Sequence, residues 1–93
     1  MRLDKWFWQA RFCKTRAEAA LWIERGKVRI NGQRCVKPGH GILAGDVLTF
    51  GQAGEVRVIR ILGLGVRRGP SVEAALLYQD VVLGGPATGT LLE

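Results

Sequence analysis

The chain has 93 residues, of which 47% are hydrophobic and 24% charged, and its formal net charge is +6. This composition is typical of one small folded domain and excludes a disordered basic tail. No stretch approaches the ~20 consecutive apolar residues that span a bilayer. Because Asp4 stands near the start and no long apolar run follows it, we expect no signal peptide and a cytoplasmic location.

The positive charge is confined to one part of the sequence. Residues 1–37 contain ten Lys and Arg against three Asp and Glu, whereas residues 38–93 contain four against five. The local net charges are therefore +7 and −1. This asymmetry predicts a basic segment that meets a polyanion, either a nucleic acid or an anionic membrane surface, and a neutral support behind it.

Few residues could bind a metal or carry out catalysis. Cys13 and Cys35 are too few and too far apart for a disulfide framework or a structural zinc site, and His40 is the only histidine. We find no Ser/His/Asp set and no phosphate-binding glycine loop. The sequence therefore predicts no metal, no cofactor and no catalytic residue, and its free thiols fit a reducing compartment.

Residues 3–12 predict a helix with one apolar stripe. The stripe follows the spacing i, i+3, i+4, i+7 and consists of Leu3, Trp6, Phe7 and Ala10. Arg2, Lys5 and Gln9 fall on a different face, which we expect to be cationic. Trp8 belongs to neither group: it is either packed at the edge of the stripe, as aromatic residues more often are, or exposed for base stacking.

A capping box starts a second helix. Thr15 is followed three residues later by Glu18, so each side chain can bond the other's backbone amide. The residues expected on the inner side are Ala19, Ala20 and Ile23. Gly26 is placed to end the helix as its C′ residue. Lys14 and Arg16 flank the predicted N-terminus, where free amides and the helix dipole favour a phosphate.

Residues 27–36 predict a β-hairpin. Val28 and Ile30 alternate with basic residues, as in a half-buried strand. Asn31-Gly32 is the strongest sequence signal for a two-residue type I′ turn.

The second half predicts more sheet and one more helix. After a glycine-rich loop at 37–46, strands are expected at 47–50 and 55–64. Ser71 opens a third helix, and the side chains expected to face the sheet are Val72, Ala75, Leu76 and Tyr78. Residues 81–93, rich in Gly and Thr, are predicted to form a flexible tail.

Several short motifs occur along the chain at spacings that resemble those of a known family. In the first half they are Arg2-Leu3-Asp4-Lys5, Lys14-Thr15-Arg16, Ala19, Ile23, Gly26, Val28-Arg29-Ile30-Asn31-Gly32, Lys37-Pro38 and Gly45-Asp46. This set resembles the RNA-binding domain named after small-subunit ribosomal protein four. The later set is Arg60-Ile61-Leu62, Arg67-Arg68-Gly69-Pro70, Glu73-Ala74 and Tyr78. With it, the chain resembles the bacterial fifteen-kilodalton heat-shock protein family, which binds ribosomes.

The resemblance implies an α+β fold of the αL type, with two N-terminal helices packed on a small antiparallel sheet and a short C-terminal helix. Residues 1–80 would form one RNA-binding domain, with the basic segment at 1–37 and its support at 38–80. The resemblance also implies a role in ribosome recycling under heat stress, by binding free large subunits that still hold a tRNA-linked nascent chain. Longer family members continue into a basic tail, whereas residues 88–93 contain no basic side chain.

Nine residues are predicted to contact RNA, most of them as phosphate ligands. They are Arg2, Lys5, Arg11, Lys14, Thr15, Arg16, Arg29, Asn31 and Lys37. Some have simpler structural roles: Thr15 as an N-cap, Asn31 as a turn former, and Arg11 in an ion pair with Asp4 or Glu18. Because duplex RNA hides its base edges, such a surface should recognise backbone shape, and its affinity should depend strongly on salt.

Three other functions remain open from the sequence. The chain could be an accessory module of an RNA-modifying or tRNA-charging enzyme, or a general nucleic-acid-binding protein that also takes DNA. A third interpretation is a membrane-surface or protein-docking module, which requires Trp6, Phe7 and Trp8 to be exposed together. We expect no membrane partner and a monomeric chain.

Overall fold

Two short helices lie against a five-stranded antiparallel sheet in the computed structural model, which describes residues 1–65 and 67–81. The elements are α1 (Leu3–Gln9), α2 (Arg16–Glu24), β1 (Val28–Ile30), β2 (Gln33–Cys35), β3 (Val47–Gln52), β4 (Glu55–Ile61), α3 (Ser71–Ala74) and β5 (Tyr78–Asp80). The strand order is β2-β1-β3-β4-β5. The predicted α+β class is confirmed. The predicted flexible tail lies, beyond Val81, outside the described residues.

The apolar stripe of α1 is buried as predicted, but the helix is shorter than expected. It ends at Gln9 instead of residue 12, because Arg11 adopts a left-handed backbone with φ of +64°. Gln9 was expected on the cationic face and is instead buried. Trp6 and Phe7 are fully buried, so the docking interpretation, which needs both at the surface, is wrong on this point.

An aromatic cluster joins both helices to the sheet. The Phe50 ring lies 5.1 Å from the rings of Phe7 and Phe12 and 5.5 Å from that of Trp22, measured between centroids. The pairs with Phe7 and Phe12 meet edge to face, the arrangement that aromatic quadrupoles favour. Because these rings come from α1, the turn that follows it, α2 and β3, the core fixes the basic segment on its support.

Both ends of α2 are capped by the residues that the sequence predicts. Thr15 Oγ1 accepts the Glu18 amide at 3.0 Å, which confirms the N-cap. The Glu18 carboxylate accepts a hydrogen bond from the Lys14 amide at 2.9 Å, whereas the capping box predicts the Thr15 amide, one residue later, as the donor. At the other end Gly26 has φ of +74° and donates to Ile23 O, in a Schellman arrangement.

The hairpin forms as predicted, with small differences at the strand ends. Asn31 and Gly32 have φ of 51° and 86°, as a type I′ turn requires. The return strand β2 ends at Cys35, one residue early. Strand β4 ends at Ile61 and not at residue 64.

The predicted third helix is wrong in length and in its buried face. α3 has a single turn that continues as a 3-10 turn, and Tyr78 then begins β5, a strand that was not predicted. Val72 and Leu76 are 77% and 71% exposed, and Ala75 is also exposed, whereas Ala74 is buried. The helix is short because β5 must start at Tyr78, where it can pair with β4. A single turn is too short to present an apolar stripe to the sheet.

Candidate nucleic-acid interface

The first basic group is built around the buried carboxylate of Asp4, which is only 4% exposed. Arg2 donates to it twice at 3.1 Å, from Nε to Oδ1 and from Nη2 to Oδ2. Arg16 reaches the same carboxylate from α2 at 3.6 Å, and the Lys5 amide donates to it at 2.7 Å. Two predicted contact residues, Arg2 just before α1 and Arg16 at the start of α2, are therefore held side by side by an acidic residue.

Asp4 remains ionised in this environment. Burial by itself would raise the pKa of the carboxyl group. The hydrogen bonds from Arg2 and the Lys5 amide, with the charges of Arg2 and Arg16, outweigh burial and lower the pKa below its usual value. A charged Asp4 can thus orient both guanidinium groups at neutral pH.

The turn that begins at Lys37 is fastened to the start of α1. The Leu3 amide donates to His40 O at 3.0 Å and the Asp4 amide to Pro38 O at 3.1 Å. The first amides of a helix lack partners within the helix, and here the turn supplies them. A Cβ added at Gly39 would lie 3.4 Å from the Arg2 guanidinium carbon, so the turn also passes beside Arg2.

The N-terminus of α2 brings three predicted residues to the surface: Lys14, Thr15 and Arg16 are all exposed. The Thr15 hydroxyl is already used as the N-cap. We expected a phosphate at this helix N-terminus, but the Glu18 carboxylate lies there and already accepts the Lys14 amide. Its negative charge uses part of the favourable interaction with the helix dipole. Phosphate contact here would therefore rest on the Lys14 and Arg16 side chains.

A groove of about 440 Å³ connects the hairpin with the Lys37 turn. Its polar lining includes Asn31, Arg34, Lys37 and His40. The Asn31 side chain is engaged within the fold: Nδ2 donates to Asp46 at 3.2 Å, and Oδ1 accepts the Val47 amide at 2.9 Å. Arg34 and His40 were not predicted as contacts, since only the folded loop brings His40 to the hairpin.

Arg29 lies on the outer face of the hairpin. It stands opposite Arg34 in the β1–β2 register and donates to Gly32 O at 3.3 Å. Like charges directly opposite each other repel unless an anion lies between them. The pair therefore extends the positive surface from the groove onto the sheet.

Arg11 lies apart from this group, against the loop that precedes α3. Its Nε donates to Gly69 O at 2.8 Å, and the predicted ion pair with Asp4 or Glu18 is not formed within residues 1–65 and 67–81. Trp8 is half-buried beneath Arg68, whose guanidinium carbon lies 5.5 Å from the ring centroid. Arg68 Nε also donates to Trp8 O at 3.0 Å. Trp8 is thus packed at the edge of the stripe.

The metal-ligating and thiol side chains can be located in the part of the chain that the structure describes. No group of three His, Cys, Asp or Glu side chains there could hold a metal ion. Both cysteines are free and buried. Burial, with the nearby charge of Glu18, raises the pKa of Cys13 to about 12, so its reactive thiolate is scarce at neutral pH. Within the same range, no helix is long and apolar enough to cross a membrane.

Comparison with known proteins agrees with this geometry. Residues 1–48 match the S4 domain. Heat shock protein 15 of Escherichia coli K12 is 46% identical over 80 residues, which cover 86% of this chain and 59% of the relative. The homologue from Aeromonas salmonicida is 45% identical over 80 residues, 86% of this chain and 60% of that protein. The chain therefore spans about three fifths of the length of these curated relatives.

A solved structure leads to the same family. The structure of Vibrio cholerae heat shock protein 15, which is trimeric, matches with a TM-score of 0.83 at 41% identity and covers 87% of this chain and 81% of that one. Our expectation of a monomer differs from the state of that relative and stays a prediction. The S4 match over the basic segment and the similarity over both halves together show that this chain belongs to the S4 domain family and, within it, to the heat shock protein 15 family.

Proposed function

We propose that this protein binds structured RNA and catalyses no reaction. The observation that carries the proposal is the Asp4 group, in which one buried carboxylate holds Arg2 and Arg16 together on the basic segment. The S4 domain match and the similarity to heat shock protein 15 support RNA as the partner.

The surface would work by positioning charges for backbone phosphates. Binding normally costs conformational entropy when long side chains are immobilised, and Asp4 reduces that cost by holding Arg2 before RNA arrives. Lys5, Lys14 and Lys37 add less restrained charges around this centre. Such an arrangement favours folded RNA with a matching phosphate spacing, because fixed guanidinium groups tolerate fewer geometries than mobile ammonium groups.

The specific partner we propose is ribosomal RNA of the free large subunit, with a role in recycling subunits that hold a tRNA-linked nascent chain during heat stress. This follows the family resemblance and the name of the relatives. The buried, unpaired thiols of Cys13 and Cys35 are compatible with a reducing cytoplasm, where we place this activity.

Co-sedimentation with purified ribosomal subunits tests the proposal. We expect the protein to pellet with large subunits, and ribosomal RNA to compete for it better than an equal mass of duplex DNA at physiological salt. Equal competition by DNA would replace RNA binding with general nucleic-acid binding. Crosslinking in heated cells, followed by sequencing of the attached RNA, would then identify the site; reads spread evenly over unrelated RNAs would contradict the ribosomal assignment.

A further inference from the structure

Three hydrogen bonds fasten the turn between β1 and β2 to the start of β3. The backbone N–H of Asn31 donates to Val47 O at 2.7 Å, and its side-chain Oδ1 accepts the Val47 amide at 2.9 Å. The side-chain Nδ2 donates to Asp46 Oδ1 at 3.2 Å. The other oxygen of Asp46 accepts the Leu43 amide at 2.9 Å, so this carboxylate is itself held in place. We call the three bonds of Asn31 to Asp46 and Val47 the Asn31 latch.

Asn31 also stands in the sequence context in which asparagine loses its side-chain amide without an enzyme. It is the only asparagine of the chain, and Gly32 follows it. Because glycine has no Cβ to hinder it, the backbone nitrogen of Gly32 can attack Cγ of Asn31. The new C–N bond closes a succinimide ring, and Nδ2 leaves as ammonia. Water then breaks one C–N bond of the ring and leaves a carboxylate, either on the side chain or, in the isoaspartate product, on the main-chain carbon.

The latch restrains the amide that would react. Attack requires Cγ to turn toward the nitrogen of Gly32, yet Nδ2 and Oδ1 are both bonded to Asp46 and Val47. The backbone of Asn31 is fixed as well, in the left-handed region with φ of 51°. The reaction therefore needs the latch to open first, by local or global unfolding. We propose that Asn31 is a modification site controlled by the fold: the latch protects the amide in the folded protein, and unfolding by heat exposes it to irreversible deamidation.

The product is incompatible with the latch. An oxygen at position 31 replaces the donor Nδ2, which lies 3.2 Å from Asp46 Oδ1, so two carboxylates face each other. One bond is lost and like charges repel. The new charge also lowers the formal net charge from +6 to +5, at the groove that Arg34 and Lys37 line. Its effect on RNA affinity rests on the proposed function, whereas the modification itself does not.

Mass spectrometry of the digested full chain measures the reaction. Trypsin cuts after Arg29 and Arg34 and releases the peptide 30–34, in which deamidation exchanges NH for O. We expect this product to form at least about tenfold faster in urea-unfolded protein than in folded protein at the same temperature and pH. Asp46→Ala, which removes the acceptor of Nδ2, should speed the reaction in the folded protein, and the matched Glu55→Ala, which removes an exposed carboxylate elsewhere, should not.

Each of three results would overturn the proposal. The first is no reaction in urea, which would exclude the site. The second is an equal rate in folded and unfolded protein, and the third is an equal rate in Asp46→Ala and Glu55→Ala; either would exclude protection by the latch.

Two further variants test the consequence without waiting for the reaction. Asn31→Asp places the carboxylate directly. Combining it with Asp46→Asn exchanges donor and acceptor, so the bond can form again and the net charge returns to +6. We expect the single variant to melt about 4–8 °C below wild type and the double variant to recover most of this loss. An unchanged melt of the single variant, or no recovery in the double variant, would show that the carboxylate does not act through the latch.

Binding of an RNA stem-loop separates this inference from RNA binding itself. At ~0.15 M salt we expect Asn31→Asp to bind about three- to sixfold more weakly than wild type, as for one lost phosphate contact, and the double variant to recover. Equal affinity of wild type and Asn31→Asp would overturn the effect on RNA. If wild type binds no RNA, the proposed function fails, whereas the rates and melts still decide whether Asn31 is a protected site.

Discussion

Removing two charges at the start of α2 should weaken RNA binding far more than removing two elsewhere. The test variant is Lys14→Gln with Arg16→Gln. The matched control is Lys27→Gln with Arg60→Gln, two exposed residues outside the Asp4 group. Each double variant lowers the formal net charge from +6 to +4, so only the position of the lost charge differs.

The magnitude follows from counterion release. Each phosphate contact adds about 0.7–0.9 to the log-log salt slope, so losing two contacts should reduce the slope by about 1.4–1.8. If wild type and test variant bind RNA equally at 1 M salt, this difference in slope makes the affinity of the variant about 10- to 30-fold lower at ~0.15 M. The free energy of unfolding should change by less than about 1 kcal/mol, because Arg2 still holds Asp4 through two bonds and the lost Arg16 pair is partly exposed.

Fluorescence anisotropy with a labelled hairpin RNA, titrated at several salt concentrations, measures both the affinity and the slope. Thermal melts of the same samples check the fold. If the control variant loses as much affinity as the test variant, binding follows net charge alone and the localised interface is refuted. If the test variant melts far below the control, our account of Asp4 and Arg2 is wrong.

Three further predictions concern the support of this surface. Because the pKa of Asp4 is lowered in the fold, its charge stabilises the folded protein at pH values above the unfolded pKa of about 3.9. Asp4→Asn should therefore lower the free energy of unfolding, measured in urea at neutral pH, by about 1–2 kcal/mol. The difference between wild type and variant should disappear as the pH falls through the folded pKa. A gap unchanged at low pH would contradict this. Thr15→Ala should lower stability by about 1 kcal/mol, and an unchanged melt would exclude the N-cap. Phe50→Ala should cost about 3–5 kcal/mol, whereas the exposed Val56→Ala should cost less than about 0.5, as chemical denaturation can measure.

The features that could be predicted from the sequence depend on neighbouring residues. The N-cap of α2 needs only Thr15 and Glu18, and the hairpin needs only Asn31-Gly32 between two short strands. In both cases the interacting groups lie within a few positions of each other, so the local chain decides the outcome whatever the rest of the fold does.

The features that could not be predicted depend on distant partners. Gln9 was assigned to an exposed face because helical periodicity assumes one buried side, yet the chain around Gly65 also covers α1. Arg11 bonds a carbonyl 58 residues away. Val72 and Leu76 were assigned inward by a helical spacing that a single turn followed by β5 cannot realise. In each case a long-range contact overrides the local pattern.

Asp4 changes how the basic segment should be understood. By net charge alone, any lysine or arginine on this surface would be equivalent, and one acidic residue would only weaken it. The fold instead buries Asp4 and bonds it to Nε and Nη2 of Arg2, a two-point geometry that a lysine ammonium cannot reproduce. Under the proposed function, Arg2 therefore contributes position as well as charge. Exposed Lys14 contributes charge alone, so a lysine should replace Arg2 less well than an arginine replaces Lys14.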